Sequence, residues 1–293
     1  MSSTGQKIKI LNLFYSGTGS TRFVSKLLQE KLRSLDRYDI TVKEISLRNF
    51  PYEILSNYDY VFLGSPNHFM APSRTMKEFI AAMPVYKKTV KMVYYFTTAA
   101  IPGNHARKFI KMIMPKNVFV IKALCIKAPG CDFLAFLPKS VCNRVEPGKP
   151  VIGIPAACVD EKLHEKINEL VNCISKPLPQ KQEIPSPKLS LMFVLPISSQ
   201  MDHFLYIKRI PYLRILPERC INCQTCVKTC VRKCFSVNDS SEHPKLDTSN
   251  CEFCLGCVHH CPQNAIIFAD YMKDVPRFND SFFEKLGEQV SKS

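Results

Sequence analysis

The stretch IKILNLFYSGTGST, Ile8–Thr21, places an apolar run directly before a short Ser/Gly/Thr turn. After the turn, Phe23, Leu27, Leu28 and Leu32 recur at helical spacing along Arg22–Leu35. The order is strand, tight turn, helix. Four more runs rich in β-branched and aromatic residues follow: Tyr38–Ile45, Tyr58–Pro66, Thr89–Thr98 and Asn117–Ile126. Helical patterns at Pro72–Met83, His105–Met114 and about Cys158–Ile174 interleave with them. Each parallel connection must cross a face of the sheet, so this alternation predicts an α/β fold with a doubly wound, parallel, five-stranded sheet.

The rest of the chain is of another kind. Lys176–Pro187 carries four prolines and no helix or strand period, and reads as a linker. Apolar residues 188–216 are broken by Pro196 and Pro211, with room for a helix over Ser199–Lys208. From Glu218 to Asp270 the chain is dense in cysteine and poor in long apolar runs, so metal ligation must supplement a small core. The expected organisation is 5–175, a linking segment 176–215, a cysteine module 216–272 and a tail 273–293.

The 293 residues include 14 cysteines and no tryptophan, with 46% apolar content, which excludes a disordered chain. MSSTGQKIKI has no run like that of a secretion signal, and Leu189–Ile197 is too short to span a bilayer. A cytoplasmic setting is expected, where cysteines serve as metal ligands or free thiols rather than disulfides. The formal charge is +15, yet Glu218–Asp270 holds five Lys/Arg and six Asp/Glu, so the positive excess lies elsewhere. That asymmetry suits steering toward acidic redox partners. YIKRIPYLR (Tyr206–Arg214) alternates aromatic and basic residues without a nucleic-acid motif, and nucleic-acid binding is not expected.

Cys220, Cys223, Cys226 and Cys230 form CxxCxxCxxxC, and Cys251, Cys254, Cys257 and Cys261 repeat it, followed by Pro262. Tetrahedral zinc also accepts four thiolates, but a zinc site needs only two close pairs, whereas here three close ligands and a fourth occur twice. RCINCQTCVKTC and NCEFCLGCVHHCPQNAI resemble the bacterial two-cluster ferredoxin family. The resemblance implies a two-fold repeat of hairpin and short helix, with Cys220, Cys223, Cys226 and Cys261 on one [4Fe–4S] cluster and Cys251, Cys254, Cys257 and Cys230 on the other. Val231 stands where that family usually has proline, and Cys234 is an alternative to Cys230. Cys125, Cys131, Cys142, Cys158 and Cys173 are read as ordinary thiols.

The turn Ser16-Gly17-Thr18-Gly19-Ser20-Thr21 offers hydroxyls and amides at a helix start, an anion cradle lacking the lysine of nucleotide-triphosphate loops. LNLFYSGTGSTRFVSKLL resembles the phosphate loop of the flavodoxin family. That implies FMN, its phosphate on Ser16, Gly17, Thr18, Gly19, Ser20 and Thr21. Its ring would lie between the loop Pro66, Asn67, His68, Phe69 and the loop Thr97, Thr98, Ala99. A backbone group there would control flavin protonation. Lys127–Pro150 is an added connection that covers the flavin, docks the cysteine module or decorates the surface. Together the halves resemble fusions of a flavodoxin domain with a two-cluster ferredoxin domain, the EFR1-like family.

The expected function is electron transfer between FMN and two [4Fe–4S] clusters, and between external redox proteins. One alternative is a flavin-dependent reductase of a quinone, nitro compound or oxygen; another is a cluster-binding interaction protein that has lost FMN. No nucleophile–base pair is discernible, and His105, Asp160 and His164 are read as ordinary surface or packing residues, so no catalytic residue is assigned.

Overall fold

The computed structural model describes residues 7–45, 50–68, 71–99, 102–130, 139–150, 157–186, 212–238, 242–270, 273 and 275–291. Phe69, Cys131 and the expected helix Ser199–Lys208 lie outside them. The chain divides into two compact units. Unit 1 comprises residues 1–16, 21–127 and 160–188; unit 2 comprises 17–20, 128–159 and 189–293.

Unit 1 is built on strands β1 (Ile8–Phe14), β2 (Tyr38–Glu44), β3 (Tyr60–His68), β5 (Val90–Thr98) and β6 (Val118–Lys127). They pair in parallel in the order β2-β1-β3-β5-β6. With the two-residue β4 (Ala71–Pro72) set aside, this is the doubly wound, flavodoxin-like order, whose switch point lies between its first and third strands. The five expected runs match these strands within two residues at either end. The central strands read as continuous apolar runs because both of their faces are covered: Ile10, Leu11, Leu13, Val61, Phe62, Leu63, Met92, Val93, Tyr94 and Tyr95 are all buried.

Helices α1 (Ser20–Arg33), α2 (Arg74–Ala82), α3 (His105–Ile113) and α5 (Leu163–Asn172) supply the crossovers and the final cover. In α1 Lys31 and Arg33 lie in the last turn, where the helix dipole favours cations, while no acidic residue offsets the positive end at the first turn. The helix expected from Pro72 begins instead at Arg74. Ser73 caps it, its hydroxyl accepting from the Met76 N–H at 3.1 Å, and Ala71–Pro72 pairs antiparallel with Asn67–His68. The final helix starts at Leu163 rather than near Cys158. Asp160 is tied to the end of β6, where the Lys127 N–H donates to its carboxylate at 3.2 Å and its own N–H donates to the Lys127 carbonyl at 3.0 Å. Burial pushes the Asp160 carboxyl up, but the Lys166 ammonium and the N–H groups of Lys127 and Lys162 outweigh it and hold it below the usual range.

Unit 2 contains α4 (Lys139–Cys142), β7 (Arg214–Ile215), α6 (Thr225–Thr229), β8 (Phe235–Ser236), β9 (Lys245–Leu246), α7 (Gly256–His260), β10 (Ile266–Ile267) and α8 (Asp280–Val290). β7 pairs antiparallel with β10, and β8 with β9. α8 opens on Asn279, whose side chain accepts from the Phe282 N–H, and buries Phe282, Leu286 and Val290. No helix among the described residues is long and apolar enough to cross a membrane.

Candidate functional site

The carboxyl ends of β3 and β5 lie side by side, Ser65 opposite Phe96 and Pro66 opposite Thr97. β3 runs on through Pro66, Asn67 and His68, which are therefore strand residues rather than loop residues; only the return to β4 turns the chain back. Thr97 and Thr98 close β5, and Ala99 follows, buried. The Thr21 hydroxyl at the start of α1 meets that of Thr97 at 2.8 Å.

Two polar networks are buried on opposite faces of the sheet, because Tyr94 and Tyr95 are adjacent on β5 and must point opposite ways. On one face the Tyr95 hydroxyl donates to Asn12 Oδ1 at 3.3 Å, and Asn12 Nδ2 donates to Ser25 Oγ at 3.0 Å. On the other the Tyr94 hydroxyl lies 2.6 Å from Ser65 Oγ and 2.5 Å from His105 Nε2. His105 Nδ1 is 2.7 Å from Asn67 Oδ1, and Asn67 Nδ2 donates to Thr98 Oγ1 at 3.2 Å. His105 is wholly buried, its ring stacked on Phe96 with centroids 4.1 Å apart. Burial, then electrostatic repulsion from His68, Lys108 and Lys77, drives its pKa well below the ordinary histidine range. Burial likewise pushes the Tyr94 and Tyr95 phenols up. His105 thus joins two of the expected ring-contact residues, Asn67 and Thr98, a role the sequence reading did not give it.

Ser16 belongs to unit 1 and accepts the Arg22 N–H on its hydroxyl at 3.2 Å. Gly17–Ser20 belong to unit 2. Within unit 2 the Ser20 hydroxyl donates to the Pro129 carbonyl, and a Cβ added at Gly17 would lie 2.8 Å from Cys254 Cβ. A Cβ at Gly256 would lie 2.4 Å from the Gly17 carbonyl oxygen, and Gly19, at φ +123°, sets its Cα against the Phe283 ring. The Ser20 hydroxyl proton is spent on the Pro129 carbonyl, whereas the Ser16 hydroxyl is the acceptor in its bond to Arg22; the loop adds backbone amides at the start of a 14-residue helix. In kind, those groups fit an anionic phosphate.

The cysteine segments of unit 2 repeat at an offset of 31 residues: Cys220 and Cys251, Cys223 and Cys254, Cys226 and Cys257, Cys230 and Cys261. The backbone repeats with them. Asn222, Gln224 and Lys233 are left-handed, and so are Phe253, Leu255 and Asn264 at the same offset. α6 and α7 obey it too, as do the N–H groups of Cys234 and Ala265, which donate to Cys230 Sγ and Cys261 Sγ at 3.3 Å. Cys220, Cys223, Cys226 and Cys261 line one hollow, so the fourth thiol comes from the other half. Cys230, Cys251, Cys254 and Cys257 are mutual neighbours in turn. Burial, then neighbouring Cys261 and Cys220, push the Cys226 thiol up to about 11; burial, then Glu252, push Cys254 up to about 12. Cys234, which the sequence left as an alternative ligand, is buried against Cys230 and Cys251. Among the described residues, no three His, Cys, Asp or Glu side chains converge closely enough for a single ion.

No family model matches the chain. It is 32% identical over 71 residues to the NADH-quinone oxidoreductase subunit I of Pelobacter propionicus, a match covering 20% of this chain and 37% of that protein. The chain thus spans little more than a third of that relative's length. Among solved structures, oxidised Flavodoxin 2 from Bacillus cereus aligns at 18% identity and TM-score 0.39, covering 57% of this chain and 97% of that one. The flavodoxin WrbA-like protein from Agrobacterium tumefaciens aligns at 16% and 0.33, covering 38% and 75%.

Proposed function

We propose that this chain is an electron-transfer protein that binds FMN and two [4Fe–4S] clusters and passes electrons among them and to redox proteins outside. The observation that carries the reading is the duplicated cysteine array of unit 2, with its fourth thiol exchanged between halves around a hollow. Cys220, Cys223, Cys226 and Cys261 hold one cluster; Cys251, Cys254, Cys257 and Cys230 hold the other. Backbone N–H groups aimed at Cys230, Cys251 and Cys261 sulfurs would stabilise the reduced state, one of the protein's levers on cluster potential.

The flavin reading is supported by the strand order and by the chemistry of the loop. The amides of Gly17–Ser20, in the loop that leads into α1, would hold the phosphate. Among the described residues, Pro66, Asn67, His68, Thr97, Thr98 and Ala99 would hold the ring; Phe69, expected beside them, lies outside. When bound, FMN takes electrons in pairs and gives them up singly, the exchange that one-electron clusters need. Joining the groups in one chain makes their exchange intramolecular. A positive excess outside the cysteine module suits acidic redox partners.

Anaerobic purification with iron, acid-labile sulfide and flavin analysis tests the reading. About eight irons and eight sulfides per chain are expected from two four-iron clusters, with about one FMN. Zinc without sulfide would overturn the cluster assignment. Clusters without flavin, after expression with ample riboflavin, would leave a cluster-binding interaction protein. Stopped-flow reduction in which flavin and clusters respond independently would remove the internal exchange.

A further inference from the structure

The hydrogen bonds around His105 fix more than a packed side chain. Asn67 Oδ1 has no proton, so His105 Nδ1, 2.7 Å away, must donate to it. A neutral imidazole then has an acceptor at Nε2, and the Tyr94 hydroxyl, at 2.5 Å, must donate there. The phenol oxygen is left to accept from Ser65 Oγ at 2.6 Å. At the other end Asn67 Nδ2 donates to Thr98 Oγ1. Ser65, Tyr94, His105, Asn67 and Thr98 therefore form one chain in which every proton points the same way. Ser65, Tyr94 and His105 are completely buried, and the imidazole is clamped between its hydrogen bonds and the parallel face of Phe96.

We infer that His105, as the neutral Nδ1–H tautomer, is a positioning residue for the flavin-ring side of the site. It does not touch the flavin; it acts through Asn67. By accepting from His105 and donating to Thr98, the Asn67 carboxamide ties the end of β3 to the end of β5 and has its orientation dictated by the ring. An imidazolium would keep the bond to Asn67 but place a proton on Nε2 against the Tyr94 hydroxyl and reverse the bonds behind it. The carboxamide blocks proton conduction, so the chain sets geometry and polarity and carries no proton along it. This inference rests on the flavin reading above.

Two experiments on the full chain separate the hydrogen-bond chain from its purpose. ¹⁵N-histidine NMR, with His105 assigned by its loss in His105→Phe, should show a neutral Nδ1–H tautomer unchanged from pH 8 to pH 5.5. An Nε2–H tautomer or an imidazolium in that range overturns the chain, whether or not flavin binds. In FMN titrations, His105→Phe and Asn67→Ala should each weaken binding by about tenfold and shift the flavin midpoint potential, while His105→Gln, which keeps a donor, recovers most of both. The double variant should be no worse than the poorer single, since both act through one carboxamide. Unchanged affinity and potential in folded Asn67→Ala overturns the positioning role even where His105→Phe fails to fold. A wild-type chain with the expected tautomer that takes up no FMN would instead remove the flavin reading, and this role with it.

Discussion

Gly64→Ala is a severe substitution for its size. Gly64 sits in β3 between Phe14 of β1 and Tyr95 of β5, and an added Cβ would lie 2.3 Å from Tyr95 Cζ and 2.5 Å from both Cε2 and Oη. The far end of a tyrosine ring normally yields, but this ring is buried and its hydroxyl is anchored on Asn12. Displacing it adds overpacking of about 1–3 kcal/mol and the loss of one buried hydrogen bond, about 1 kcal/mol. Reduced freedom of the unfolded chain returns about 0.4–1 kcal/mol. The net expectation is a loss of about 2–3 kcal/mol, read by urea denaturation of unit 1 signals, or about 5–10 °C in its melting transition. The mechanism has its own check in a double-mutant cycle with Tyr95→Leu, where removing the ring should recover at least ~1 kcal/mol of the Gly64→Ala penalty. A Gly64→Ala loss within about 0.5 kcal/mol of zero, or full additivity with Tyr95→Leu, refutes the reasoning.

Cys261→Ser should abolish the cluster of Cys220, Cys223 and Cys226 while about four irons remain on the other set, countable by iron analysis and electron paramagnetic resonance; loss of the Cys251 set instead would break the crosswise pairing. Because the folded-state pKa of His105 lies below the unfolded value of about 6.5, the unfolded chain binds the extra proton, so stability of unit 1 should fall as pH drops below about 6.5. The slope is up to about 1.4 kcal/mol per pH unit, and urea midpoints for wild type and His105→Gln should converge in acid. Arg232, buried, donates from Nε to the Asn250 carbonyl at 3.0 Å and from Nη2 to the Asn250 side chain, whose amide returns a bond to the Arg232 carbonyl at 3.1 Å. Arg232→Lys cannot keep that fork and should lower the denaturation midpoint of unit 2 by an amount equivalent to about 2 kcal/mol; an unchanged midpoint would count against it.

The parallel sheet was legible because buried central strands leave unbroken apolar runs, Tyr58–Pro66 and Thr89–Thr98 among them. The duplicated cysteines were legible because their spacing is local. What the sequence concealed depends on partners distant along the chain. Nothing near His105 announces that Tyr94 and Asn67, 38 positions earlier, will enclose it. The extension of β3 to His68 depends on the return pairing with Ala71–Pro72, too short to leave a periodic signal. Gln224, Lys233, Phe253 and Leu255 take left-handed backbone without being glycine, conformations that surroundings impose and composition does not suggest. Gly17 reads as a turn glycine in sequence and Gly256 carries no signal of its own; each is small because the other's segment passes against it.

A fourth thiol exchanged between halves would make the cysteine module one interlocked whole. If each half completes its neighbour's metal site, a protease nick between Ser236 and Lys245 would leave two fragments clasped through iron, separable only after a chelator strips it. Conversely, either half expressed alone is three-legged, and would fill its vacancy by associating with a second copy of itself, the arrangement from which such a tandem repeat can arise by fusion.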